Sequence, residues 1–418
     1  MTIFRSSSRK LAVLAFAILV AIPFAARAEK VRIAFIDPFS GPLGVLGKTG
    51  ISAFRSSEEV LQEARQASAN QLEFVEFDNK FSPTETLLQL KSAIDQGFRY
   101  VVQGIGSGAS AGLIDAIEKH NERNPGKEVV FINWTSNDPE LTNARCSFWH
   151  FRMDSHSDMK MEGLTSYMAK NPKVRKVYLI NPNGSAGQQV ARDAREYFKR
   201  KRPDLQIVGD DLHAIGQVKD FSPYIAKIKA SGADSVITSS NAVDLALLIK
   251  QAREASLDVD FYTLFANGGG IPTAMGSASA GRVKLLSAYT PNVENFSGKA
   301  VVERMKSKYN DDFTPLSGYS GVLMLHQAFK QTGSTDPVKV AWAMEGMKFQ
   351  GLTGEIEMRK SDHQAQQPLY ITSWAKVDGK TVKYDQENTG YGWKTDVKLD
   401  SYVSSQPTSC QMKRPAKP

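Results

Sequence analysis

A short apolar strand, Tyr100-Val101-Val102-Gln103, runs into Gly104-Ile105-Gly106-Ser107-Gly108-Ala109-Ser110-Ala111, a glycine-rich entry to a helical segment. The first N–H groups of a helix have no carbonyl ahead of them, and the helix dipole adds positive potential there. With the hydroxyls of Ser107 and Ser110 nearby, that chemistry suits a carboxylate or another anion. Two alternatives stay open. One is plain helix capping; the other is dinucleotide binding, because Gly106, Gly108 and Ala111 fit G-x-G-x-x-G/A. That fingerprint belongs to a first strand and asks for an acid ending the next one, where this chain has Asn133.

The segment Trp134-Thr135-Ser136-Asn137-Asp138-Pro139 is dense in short hydrogen-bonding side chains, which make either an ordinary turn or a polar wall. Asn181-Pro182-Asn183-Gly184-Ser185-Ala186-Gly187 lacks the Lys-Ser/Thr of a phosphate-cradling loop. His150 and His156 flank Asp154 and Asp158, but their spacing straddles a strand end and a helix start. Asp154 or Ser155 is expected to cap that helix rather than to bind a metal. No H-E-x-x-H, no G-x-S-x-G and no cysteine nucleophile pattern occurs, so no catalytic residue, metal or cofactor is assigned. The two cysteines, Cys146 and Cys410, allow one intramolecular pairing, and a disulfide between them is expected in an oxidising compartment.

The compartment is indicated at the start of the chain. Arg5, Arg9 and Lys10 precede an apolar run from Leu11 to Ala25, and Ala26-Arg27-Ala28 supplies a small-x-small site. This pattern is a secretory signal expected to be cleaved after Ala28. Its run is shorter than the ~20 residues that span a bilayer, and no later run compares, so the mature chain is expected to be periplasmic and not membrane-embedded. Loss of the four signal cations lowers the formal charge from +8 to +4. Lys199-Arg200-Lys201-Arg202 is the one dense basic run; it ends a helical segment, where cations suit the dipole, and no nucleic-acid partner is expected.

Strand and helix patterns alternate along the chain. Val31–Asp37, Leu72–Phe77, Tyr100–Gln103 and Val129–Asn133 are strands separated by helix-period segments. A second series begins after Phe148–Met153, with strands at Val174–Asn181, Gln206–Asp210, Ser235–Thr238 and Phe261–Phe265. Three helical stretches follow between Ser297 and Glu345, then strand-like pieces at Gly354–Met358 and Pro368–Val377; the polar tail from Asp378 signals no element. The expected fold is α/β, with two doubly wound parallel-sheet lobes rather than a closed barrel. Ligands of such sheets sit beyond the carboxyl ends of the strands.

Several segments occur in an order that resembles the substrate-binding proteins of branched-chain amino-acid-type ABC importers, which have the type I periplasmic binding fold. They are Val31–Pro42, Gly97–Val102, Asp138–Thr142, Asp220–Lys229 and Leu248–Arg253. The resemblance runs from about Lys30 to Val377. It implies two lobes with a three-crossing hinge that close over a small ligand, and a monomer that docks on a membrane permease. On this pattern 29–152 with 290–362 form lobe 1, 153–289 with 363–400 form lobe 2, and 401–418 is a tail. A ligand-sensing receptor of the same fold is the alternative; an exported hydrolase is disfavoured. Ser107 resembles the family's carboxylate-binding serine, and Thr135, Ser136 and Asn137 correspond to the loop that shares the headgroup. Leu46 and Ala186 stand where aromatics are common, and Phe265 stands where an acid usually holds the ligand ammonium. A buried ammonium without a carboxylate is costly, so carboxylates lacking an α-amino group are the expected ligands, with Asn241 and Asn267 available for a hydroxyl or carbonyl. Thr238, Ser239 and Asp244 are the remaining candidates for an ammonium site.

Overall fold

The computed structural model describes residues 1–2 and 30–418. The export signal and its cleavage site after Ala28 lie outside the described residues, the first two positions aside. The chain opens with β1 (Lys30–Asp37), α1 (Gly44–Glu63), β2 (Gln71–Asp78), α2 (Pro83–Asp95), β3 (Tyr100–Gln103), α3 (Ser107–Arg123), β4 (Val130–Asn133) and β5 (His150–Arg152). These five strands form one parallel sheet in the order β2-β1-β3-β4-β5. β3 and β4 are buried at every position, as befits strands covered by helices on both faces, and they therefore read as unbroken apolar runs.

The second series is α4 (Ser157–Ala169), β6 (Lys176–Pro182), α5 (Ser185–Lys201), β7 (Gln206–His213), α6 (Ser222–Ser231), β8 (Ser235–Thr238), α7 (Ala242–Glu254), β9 (Asp260–Thr263), α8 (Ile271–Met275) and β10 (Val283–Ser287). The chain then returns to the first sheet's side as α9 (Lys299–Tyr309), α10 (Leu316–Thr332) and α11 (Pro337–Met344). β11 (Lys348–Gln350), β12 (Glu355–Met358) and β13 (Ala365–Gln366) make a small antiparallel sheet. β14 (Leu369–Lys376) and β15 (Tyr391–Leu399) complete the second large sheet, ordered β15-β14-β10-β9-β8-β6-β7.

Both large sheets share one logic. Strand order reverses between β1 and β3 in the first and between β6 and β8 in the second, and such switch points open a crevice at the carboxyl edge. The loops leaving β3 and β8 carry Ser107 and Asn241, and the loop leaving β6 leads into the helix that carries Ala186. The fold is therefore the two-lobed α/β arrangement expected, with differences in detail. α8, β10, β11, β13 and β15 were not legible, and the tail expected to lack elements contributes β15, which pairs antiparallel with β14 along its length. Its alternation of half-exposed and exposed residues after Trp393 belongs to a sheet edge rather than to a loop. The basic run at 199–202 is a paired helix end: Arg200 and Lys201 reach Glu162 of α4 at 2.6 and 2.9 Å, and Arg202 meets Asp204.

Where the chain first crosses between lobes, Arg152 is fully buried. Its Nε donates to Gln364 Oε1 (2.6 Å), Nη1 to the Asp138 carbonyl (2.5 Å) and Nη2 to Thr142 Oγ1, while its backbone N–H donates to the His363 carbonyl (2.9 Å). Gln364 and Gln367 in turn donate to the carbonyls of Asp154 and Met153. The first and third crossings are thus tied together side by side. Burial lowers the Arg152 pKa to about 10, against the opposing pull of Asp362 and Asp138, so the guanidinium remains charged at neutral pH.

Cys146 and Cys410 are disulfide-bonded. The bond straps the tail across the first lobe, where Thr408 Oγ1 donates to the Thr142 carbonyl (2.9 Å), Lys413 pairs with Glu122 (2.9 Å) and Arg414 with Glu345 (2.7 Å). Among the described residues no helix is long and apolar enough to cross a membrane.

Candidate ligand cleft

A cavity of about 320 Å³ lies between the facing carboxyl edges of the two large sheets. Between the two lobes Pro42 and Leu46 come close to Gly216 and Gly269, and Asn267 Nδ2 donates to the Thr314 carbonyl (3.5 Å). The first residues of five helices line it: Ser107 of α3, Ser157 of α4, Ser185 of α5, Ala242 of α7 and Leu316 of α10. The Ser157 N–H is spent on the Asn137 carbonyl (2.9 Å), but the five helix dipoles still make the interior favourable to negative charge.

The β3–α3 turn owes its shape to glycine and to a buried acid. Gly106 adopts φ +97°, open to glycine, and a Cβ on Gly104 would meet the Trp134 indole at 2.7 Å. Asp37, fully buried at the end of β1, accepts N–H groups from Ile105 (2.8 Å), Gly104 (3.3 Å), Gln103 Nε2 (3.2 Å) and Trp134 Nε1 (2.7 Å). It does not line the cavity, and it holds the turn that does. Its desolvation outweighs those four bonds and raises its pKa to about 7. Because the folded value lies above the unfolded one, the native state binds the extra proton. Asp37 therefore makes stability fall as pH rises from about 4 to about 7. Urea unfolding of wild type and Asp37→Asn across this range should show the wild type losing stability relative to the variant, with a slope approaching about 1.4 kcal/mol per pH unit. A difference that stays flat from pH 4 to 8 would overturn the assignment.

All eight residues expected at the ligand line the cavity: Leu46, Ser107, Thr135, Ser136, Asn137, Ala186, Asn241 and Phe265. Their free valences differ. Ser107 Oγ accepts the Asp138 N–H (3.3 Å), which leaves its own hydrogen to donate. Ser136 is committed: Oγ donates to the Gly104 carbonyl (2.6 Å), and its N–H donates to Asn133 Oδ1 (3.0 Å). Ser110 Oγ donates to Gln103 Oε1 (2.5 Å) beside Ser136 Oγ, so these two serines brace the loops. Ala186 falls in the first turn of α5, which begins at Ser185 rather than near Gln188. Asn241 is the N-cap of α7, yet its side chain makes no capping bond.

The ammonium candidates of the second lobe are engaged or lie outside the cavity. Asp244 Oδ2 accepts the Gly216 N–H (2.7 Å) and faces His213 while its buried Oδ1 has no partner, Thr238 Oγ1 donates to Ser240, and neither residue lines the cavity. Ser239 lines it but gives both its N–H and its hydroxyl to Asn181 Oδ1.

Sequence reasoning missed Lys160. Its side chain is 3% exposed, and Nζ lies 2.6 Å from Asp154 Oδ2, 2.9 Å from Asn137 Oδ1 and 4.8 Å from the Phe265 ring centre. Asp154 and Lys160 both line the cavity and are the only acid and base that do so among the described residues. The cap expected at Asp154 or Ser155 is not formed: His156 holds the N-cap position, and the Asp154 carboxylate turns to Lys160 instead. The signal was present in the sequence, as a lysine one turn into a helix after a strand-end acid, but i+6 spacing across a helix start does not announce a contact.

The model for the family described as periplasmic binding protein matches residues 30–381. The Leu/Ile/Val-binding protein homolog 4 of Brucella abortus (strain 2308) is 28% identical over 399 residues, covering 93% of this chain and 94% of that one. The closed conformation of the leucine-, isoleucine-, valine-, threonine- and alanine-binding protein from Brucella ovis superposes with TM-score 0.81 at 27% identity, covering 93% of this chain and all of that one. A solute-binding protein of an ABC transporter from Rhodopseudomonas palustris BisB5, in complex with 3,4-dihydroxybenzoic acid, shares the fold at 19% identity and TM-score 0.76, over 89% and 98% of the two chains.

Proposed function

Since the chain belongs to the periplasmic binding protein family, we propose that it is the solute receptor of an ABC importer for small carboxylates that lack an α-amino group. One observation carries this reading. Among the described residues the first positions of five helices converge on a cavity whose one acid, Asp154, is already paired with Lys160. An entering carboxylate finds positive potential and the Ser107 hydroxyl, whereas an entering ammonium finds, among the described residues that line the cavity, no acid without a cation beside it. Phe265, Trp134 and Leu46 supply apolar area for an aromatic or aliphatic body.

The lobes, 29–152 with 290–362 and 153–289 with 363–400, close on the ligand about the Arg152 hinge, and the closed monomer is read by the permease. Export with cleavage after Ala28 puts this cycle in the periplasm. Among the described residues that line the cavity no nucleophile is paired with a base, and the family match supports a role in capture and release. Ser107→Ala removes a hydroxyl donor to a charged acceptor, worth about 1.5–3 kcal/mol. Calorimetry with 4-methylpentanoate and benzoate should show a 10- to 100-fold loss relative to wild type. Unchanged affinity in a folded variant would reject Ser107 as the headgroup ligand.

A further inference from the structure

The Asp154–Lys160 pair does more than neutralise an acid. An ammonium has three hydrogens, and two of those on Lys160 go to Asp154 Oδ2 and Asn137 Oδ1. The group is nearly sealed from solvent, lines the cavity and sits over the face of Phe265, the residue that stands where the resembled family usually has an acid. A buried lysine of this kind is costly unless its charge is used. Among the described residues Asp154 is the one carboxylate in the cavity wall, and its Oδ2 is taken by a cation of the protein itself.

We propose that Lys160 is the specificity-determining residue of this cleft, a built-in ammonium that takes the place of the one an amino acid would bring. It occupies Asp154, so a zwitterion has nowhere to put its charge, and its third hydrogen is left for an oxygen of the ligand. Asn137 makes this sharing geometrically direct. Its Oδ1 holds Lys160, and the next residue, Asp138, donates its N–H to Ser107 Oγ, so two adjacent residues of one loop hold the cation and the α3 hydroxyl. One carboxylate bound between them is held from both sides. The inference rests on the carboxylate reading above and names the residue responsible for it.

The test measures preference within matched pairs: leucine against 4-methylpentanoate, and phenylalanine against 3-phenylpropanoate, by calorimetry. Wild type should prefer the acid of each pair. Lys160→Gln should weaken the acids about 10- to 100-fold, since a charged donor is lost, and should gain amino-acid binding as Asp154 is released. Should Lys160→Gln fold poorly with Asp154 unpaired, the double variant Lys160→Gln/Asp154→Asn removes both charges; it should lose the acid preference without gaining amino acids. A wild-type preference for the acids that survives in Lys160→Gln, or in the double variant, overturns this proposal alone. A Lys160→Gln protein that folds yet gains no amino-acid binding also overturns it. Wild type that prefers the amino acids overturns the ligand-class reading and this proposal together.

Discussion

Arg152→Met should destabilise the protein by roughly 3–6 kcal/mol, measured as the shift in its urea unfolding curve. The guanidinium satisfies Gln364 Oε1, the Asp138 carbonyl and Thr142 Oγ1 at a site closed to water. Methionine fills similar space and donates nothing, and each buried acceptor left without a partner costs about 1–3 kcal/mol. Arg152→Lys should recover little, because a single ammonium cannot span acceptors that a planar fork reaches in three directions. Ligand affinity should fall with stability. The Asp138 carbonyl bonded to Arg152 belongs to the residue whose N–H serves Ser107. A loss under about 1 kcal/mol for Arg152→Met would show that the crossings are held by their backbone pairing instead.

Replacing both cysteines by serine should cost about 2–5 kcal/mol. Cys146 and Cys410 are 264 residues apart in sequence, so the bond restricts nearly two thirds of the chain when unfolded. In the variant the tail keeps its contacts at Thr408, Lys413 and Arg414, of which the exposed Lys413–Glu122 pair contributes little by itself and the Arg414–Glu345 pair is the better shielded. Protease should cut within 400–418 of the serine variant well before it cuts wild type. Two free thiols per chain, titrated after unfolding the wild type without reductant, would contradict the bond.

How much the sequence disclosed follows from how local each signal is. Parallel strands buried on both faces announce themselves as apolar runs, so β1, β3, β4 and β8 were legible to within a residue or two. β15 was not, because an antiparallel edge strand of lysines, threonine and aspartate looks like a polar loop until its partner is known. At the site, positions defined by a strand end followed by a helix start could be named: Ser107, Asn241 and the 135–137 loop. Roles fixed by contacts across the fold could not be. Asp37 bonds to residues 66 to 97 positions away, and nothing near it in sequence marks a turn-holder. The hydroxyl of Ser136 looked available and is spent on Gly104. Lys160 looked like one helical cation among many until Asp154, Asn137 and Phe265 were seen around it.

The strapped tail decides where reporter groups can be placed. Cys410, Lys413 and Arg414 are all fastened to the first lobe, so a dye joined after Pro418 travels with that lobe however the cleft moves. A second dye on Lys250, exposed on α7 of the other lobe, gives a donor–acceptor pair whose energy transfer registers the inter-lobe angle. Moving that second dye to Lys119 on α3 puts both on one rigid body, and the signal should become indifferent to ligand. Reducing the protein uncouples the C-terminal dye in both pairs and supplies an internal control.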